Sequence, residues 1–232
     1  MRGAEEENVI LASNLNKTSL IKRLALLIVG LFLSSLGVAL LKKAALGVSP
    51  ISSAANVVSI AVPDLSLGTW LIIWNCVLIL AQLIILRRDF RPIELLQIPL
   101  SVLFGLFTDL SMLALGFFEP GGYFSRFALV VLGTATMAFG ISMTVVADVI
   151  MNSGEALVKA VSDKTGHAFG SVKIGFDASC VALAVALSFV LCGRILEVRE
   201  GTLAAALLTG VFVNLFGRLF AGVKIAEKTG VA

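Results

Sequence analysis

The sequence predicts an all-α integral membrane protein, with six transmembrane helices in two inverted three-helix repeats. Each repeat carries a short re-entrant or interfacial helix after its first span. Three observations lead there. Mean hydropathy is +1.01, with 58% apolar and only 14% charged residues, against about 25% charged in a soluble domain. Six apolar runs each reach the roughly 20 residues that carry a helix across about 30 Å of hydrocarbon. The chain also repeats itself. A shift of 103 lays Gly30 on Gly133, Gly37 on Gly140 and Ser59 on Ser162; a shift of 102 lays Gly68-Thr69 on Gly170-Ser171 and Asn75 on Asp177. A shift of 105 lays Gly105 on Gly210, Phe107 on Phe212 and Asp109 on Asn214. Three spans per repeat is an odd number, so the halves must cross in opposite senses, as in the common plan of secondary transporters.

In chain order, residues 1–23 form a cytoplasmic N-terminal segment whose acidic start, Glu5 to Glu7, precedes an apolar run too long for a signal peptide. The first repeat, 24–118, holds the spans Leu24–Leu41, Leu67–Leu86 and Ile93–Leu115. The second, 119–221, holds Phe127–Ala147, Phe169–Cys192 and Thr202–Phe220, and 222–232 is a cytoplasmic tail. A barrel is excluded because its strands would be short and alternating. Ser49-Pro50 opens the first short helix, Ile51–Ala61, with a cap residue and a proline at the first helical position. Asn152-Ser153-Gly154 opens its counterpart, Glu155–Ser162. Each is too short to span, and the sequence leaves re-entrant and surface-lying placements open.

Charge sets the orientation. One side collects Lys17, Lys22, Arg23, Arg87, Arg88, Arg91, Lys159, Lys164, Lys224 and Lys228. The other has Lys42, Lys43, Arg126, Arg194 and Arg199. Positive-inside asymmetry puts both termini in the cytoplasm, and it accounts for the net charge of +3 without a nucleic-acid partner.

The fourth span carries Gly133, Thr136, Gly140, Thr144 and Asp148 as one small-polar stripe, matched by Gly30, Ser34 and Gly37 in the first. Such stripes usually mark tight helix packing; Asp148 adds a pathway reading. Ionisable groups inside spans are costly unless paired or facing water. Asp177 follows Lys173 by one turn, Asp109 sits late in span three, and Asn75 and Asn214 complete an acid-and-amide set. Asn75, Asp109, Asp177 and Asn214 are therefore candidate ligands for a cationic or zwitterionic solute, or for a proton. Polar bonding between helices is the competing account. Trp74 is a candidate stacking surface, Asp148 a cytoplasmic approach, and Ser49, Ser153 and Glu155 the candidate groups of the short helices; Glu155 also pairs in register with Lys159. Trp70 and Tyr123 read as interfacial belt residues, and Glu94 and Gln97 as interfacial. Cys76, Cys180, Cys192 and the single His167 offer no ligand spacing. No phosphate-binding loop, zinc signature or serine-nucleophile motif is present, so the expectation is no enzyme, no metal and no cofactor.

Leu46-Gly47-Val48-Ser49-Pro50, Leu67-Gly68-Thr69 and Gly201-Thr202-Leu203 through Thr209-Gly210 resemble the YczE/YitT-like group of small bacterial membrane proteins. Ile51-Ser52 stand where that group often has an aromatic and an acid. The resemblance implies a multipass inner-membrane protein and supplies no catalytic residues. Transport of a small polar solute by alternating access is the leading expectation. The rivals are a substrate-binding subunit of an ATP-driven vitamin importer and a membrane scaffold. Expected partners are the solute and the lipid bilayer, with a homodimer left open.

Overall fold

The computed structural model describes residues 20–195 and 198–220 in full, and 2–19 and 221–229 as backbone alone. Most of the expected N-terminal segment and the tail 222–232, with Lys17, Lys224 and Lys228, lie outside the residues whose side chains are described. The helices are α1 (Arg2–Ala44), α2 (Pro50–Ala61), α3 (Leu67–Leu86), α4 (Gln97–Ala114), α5 (Tyr123–Ala147), α6 (Ser153–Thr165), α7 (Phe169–Cys192) and α8 (Glu200–Thr229). Six stretches are long and apolar enough to cross a membrane: Leu20–Ala44, Leu67–Asp89, Pro92–Ala114, Tyr123–Ala147, Phe169–Cys192 and Glu200–Phe220. The chain thus has the build of a multipass membrane protein.

Local chemistry fixes the helix ends. Ser66 caps α3 by accepting from the Thr69 N–H, and Asn152 caps α6 by accepting from the Ser153 N–H. Gly166 and Gly193 close α6 and α7 at φ of +72° and +67°, a left-handed conformation that costs glycine nothing.

The centre of the bundle is α1 against α5. About half of each of these spans is buried, against 6% of α8. The contact is antiparallel and backbone-close. A Cβ on Gly30 would lie 2.8 Å from the Gly140 carbonyl oxygen, and one on Gly37 2.6 Å from that of Gly133. Ser34 Oγ donates to the Met137 carbonyl between the two glycine pairs. The stripe foreseen in the sequence is therefore a packing seam. Around it, α4 covers α1, α8 covers α5, and α3 covers α4. The edge-to-face ring pairs Phe32–Phe107 and Phe139–Phe216 sit at the first two of these junctions.

The short helices lie inside the bundle instead of across its ends: α2 packs on α7 and α3, α6 on α3 and α7. Ser153 Oγ donates to Asn75 Oδ1 at 2.7 Å, and Gln82 Nε2 donates to the Ser153 carbonyl at 2.9 Å. Asn75 is eight residues from Leu67 and eleven from Leu86, so roughly 12 and 17 Å from the two ends of α3. The start of α6 is thus at mid-depth, while its far end emerges where Lys164 pairs with Asp89 at 2.9 Å. Similarly, Ser53 near the start of α2 donates to the carbonyl of Cys180, halfway along α7.

Candidate functional site

Two helix starts meet at the middle of the bundle. A Cβ on Gly154, in the first turn of α6, would lie 3.0 Å from Ile51 Cδ1, in the first turn of α2. Both starts carry the partial positive charge of a helix N-terminus. At α2, Ser49 caps with extended backbone and its hydroxyl lies 2.5 Å from that of Ser52. At α6, Asn152 and Glu155 stand at the spacing of a capping box, in which a residue three positions on reaches back to the helix start. Here the Asn152 side chain and the Glu155 N–H both favour the charged form of the Glu155 carboxyl.

From Asn152 and Glu155 at the start of α6 a cavity of about 630 Å³ runs to the end of the bundle that carries Lys22 and Arg23 (the N-terminal end). Its walls are the end of α3, the start of α4, the end of α5 and one face of α6. Five carboxylates line it, Asp89, Glu94, Asp148, Glu155 and Asp163, against the three bases Arg91, Lys159 and Lys164. Three ion pairs hold most of the outer charges: Lys159 with Asp163 at 3.0 Å, Lys164 with Asp89, and Arg23 with Asp148 at 3.0 Å. Glu155, the deepest acid, differs. Its Oε2 is buried with no hydrogen-bond partner. Burial pushes its carboxyl above the ordinary 4.5; Lys173 opposes the rise and Asp177 adds to it. At the other end of the bundle the chain is closed. The Gly201 N–H donates to the Leu46 carbonyl at 2.9 Å, and a Cβ on Gly201 would lie 2.6 Å from that oxygen.

Against known families, residues 21–218 match one of unknown function. The chain belongs to family DUF6198. No curated protein and no solved structure matches it. The DUF6198 match runs from Ile21 in α1 to Arg218 in α8, so the whole cavity and both central helix starts belong to the family's own region.

Within this DUF6198 chain the residues singled out in the sequence fall into separate groups. Asn75 and Ser153 are bonded to each other, and Glu155 shares the first turn of α6 with Ser153. Asp177 forms an ion pair with Lys173, and that pair acts electrostatically on Glu155. Asp148 is at the cavity mouth, in a left-handed turn, paired with Arg23. Ser49 is buried at the start of α2. Asp109 is elsewhere: its carboxylate accepts from the Gly68 N–H at 2.8 Å and lies 2.6 Å from Ser66 Oγ, so it caps α3. Asn214 is exposed on α8. Trp74 packs against the core with Nε1 buried and unpartnered. Gln97 is 3% exposed and forms a reciprocal amide pair with Gln82 at 3.1 Å. Gln82 escaped notice although it is an amide inside a span, one turn from the end of α3, the same signal that drew attention to Asn75. Among the described residues no three His, Cys, Asp or Glu side chains group as metal ligands.

Proposed function

We propose that the chain is a membrane transporter that moves a small polar organic solute, cationic or zwitterionic, by alternating access between two inverted repeats. Support comes from the packing pairs. If α1 to α4 correspond to α5 to α8, the α1–α4 contact matches α5–α8, α2–α7 matches α6–α3, and α2–α3 matches α6–α7. The shift of 103 exchanges the Gly30–Gly140 pair with Gly133–Gly37, so a pseudo-two-fold axis would pass through the seam near Ser34.

The observation that carries the functional reading is where this symmetry breaks. Leu46 corresponds to Val149, and Gly201 to Leu96. Leu46 and Gly201 are in contact, whereas the cavity opens between Val149 and the stretch from Ile93 to Gln97. The second break has the same sense. In the first half Gly68 and Gly105 abut and Asp109 caps α3. In the second half the corresponding Gly170 and Gly210 would meet nothing within 4 Å, and Asn214 is exposed. One end is sealed twice and the other is open twice. Exchanging the two conformations between halves would close the cavity and open its counterpart, which is alternating access.

The excess of Lys and Arg on the side of the termini over the opposite side orients the cavity to the cytoplasm, with α2 and α6 as re-entrant helices of opposite sense. A solute carboxylate would find N–H groups at the helix starts, and an ammonium the acids around Glu155. Recovery of stabilising solutes from a metabolite thermal-shift screen, followed by their uptake into proteoliposomes, is the test. Binding and uptake of none of them would overturn the function. Cysteine labelling that put Glu119–Tyr123 on the cytoplasmic side would overturn the orientation.

A further inference from the structure

We propose that Glu155 is a proton-binding site, protonated when buried beneath the cavity and releasing its proton to cavity water when that site is hydrated from the N-terminal end. Three geometric facts lead here. Oε2 of Glu155 is buried and lacks a hydrogen-bond partner, an arrangement far costlier for a charged oxygen than for a neutral one. The residue lines the cavity, so water has a path for delivering and removing the proton. No unpaired base acts on its charge. On α7, Lys173 is already matched by Asp177. On α3, the groups at this depth are the neutral amides Asn75 and Gln82. Asp148 and Lys159 are paired with Arg23 and Asp163, and Glu94, in the turn before α4, adds only negative charge. Helix α2 has no ionisable residue.

The cluster of Glu155, Lys173 and Asp177 is therefore neutral with the proton bound and carries one negative charge without it. The raised affinity of the carboxyl for its proton, set chiefly by burial, agrees with this. The step is one proton moved between Oε2 and water, with no other bond made or broken. The inference rests on the transporter reading only for its meaning as a coupling site; protonation itself does not.

The test is infrared difference spectroscopy on the purified full-length protein in lipid nanodiscs, titrated through pH with no solute added. A protonated-carboxyl C=O stretch should persist above pH 4.5 and vanish in Glu155→Gln. In the single variant Asp177→Asn its midpoint should move to lower pH, because the anion that favours protonation is lost while the Lys173 cation remains. Should Glu155→Gln fail to fold, the wild-type and Asp177→Asn midpoints decide alone. A band unchanged in Glu155→Gln, or a midpoint that does not fall in Asp177→Asn, overturns the assignment. Failure to find a transported solute is a separate result, because this titration uses none.

Discussion

Gly37 and Gly133 meet backbone to backbone, each where the other's side chain would be. A Cβ on Gly133 would stand 3.0 Å from the Gly37 carbonyl oxygen, and one on Gly37 2.6 Å from the Met137 N and Cβ. In lipid there is no hydrophobic gain from helix association itself, so close backbone packing at small residues carries the seam. Gly37→Leu and Gly133→Leu should each cost about 1–3 kcal/mol or prevent insertion of a stable bundle. Melting in detergent reads this, and an unchanged midpoint in both variants would contradict the seam.

Asp109 provides a sharper separation of roles. Its contacts with the Gly68 N–H and Ser66 Oγ make it a cap for α3 contributed by α4. Asp109→Ala should lower stability by about 1–2 kcal/mol. Asp109→Asn retains an acceptor and should recover most of that loss. Solute binding in the Asn variant should be unaltered, since the residue lies away from the cavity. Loss of binding with normal melting would return Asp109 to the solute site.

The spans were legible because a helix in lipid needs a long apolar run, and nothing else in the chain competes with that signal. The expected boundaries fall within a few residues of those found, as Leu67–Leu86 does at α3. The glycine seam was legible too, because residues at spacings of three and four share a helix face. The site was legible only in part. Asn75, Ser153 and Glu155 converge because α6 enters the bundle at mid-depth, and sequence periodicity does not encode depth. Asp109 looked like a ligand because a carboxylate late in an apolar run has the same sequence signature whether it faces a solute or a neighbouring helix start. The Gln97–Gln82 pair was not legible because the two lie on different helices, and a reciprocal amide pair leaves no spacing pattern.

Stability should depend on pH through Glu155. A carboxyl whose folded value lies above the ordinary 4.5 makes the folded state bind its proton more tightly than the unfolded chain. The resulting stabilisation is fully present below pH 4.5 and is lost as pH rises through the raised folded value. Wild-type melting should therefore fall across that window, and Glu155→Gln should flatten the profile there. An identical pH profile in the variant would mean that the burial of Glu155 has no titrating consequence.

The open face between α7 and α8 gives the most direct test of the conformational exchange. In the closed half, a Cβ on Gly105 would touch Ile72 Cγ1 at 2.5 Å. The corresponding residues are Gly210 and Ile174, and Ile174 is 73% exposed. Ala168 caps α7 without a side-chain bond, so the Gly170 N–H is available to Asn214 as Gly68 is to Asp109. In a background without Cys76, Cys180 and Cys192, a cysteine pair at 174 and 210 should cross-link in vesicles and arrest transport. Gly210→Ala should behave differently again. It meets nothing within 4 Å here, so removing a helical glycine should leave stability unchanged or raise it by about 0.5–1 kcal/mol. Yet the added methyl would obstruct the closed state, so uptake should slow several-fold. If the pair never cross-links and Gly210→Ala transports normally, the two halves do not exchange conformations.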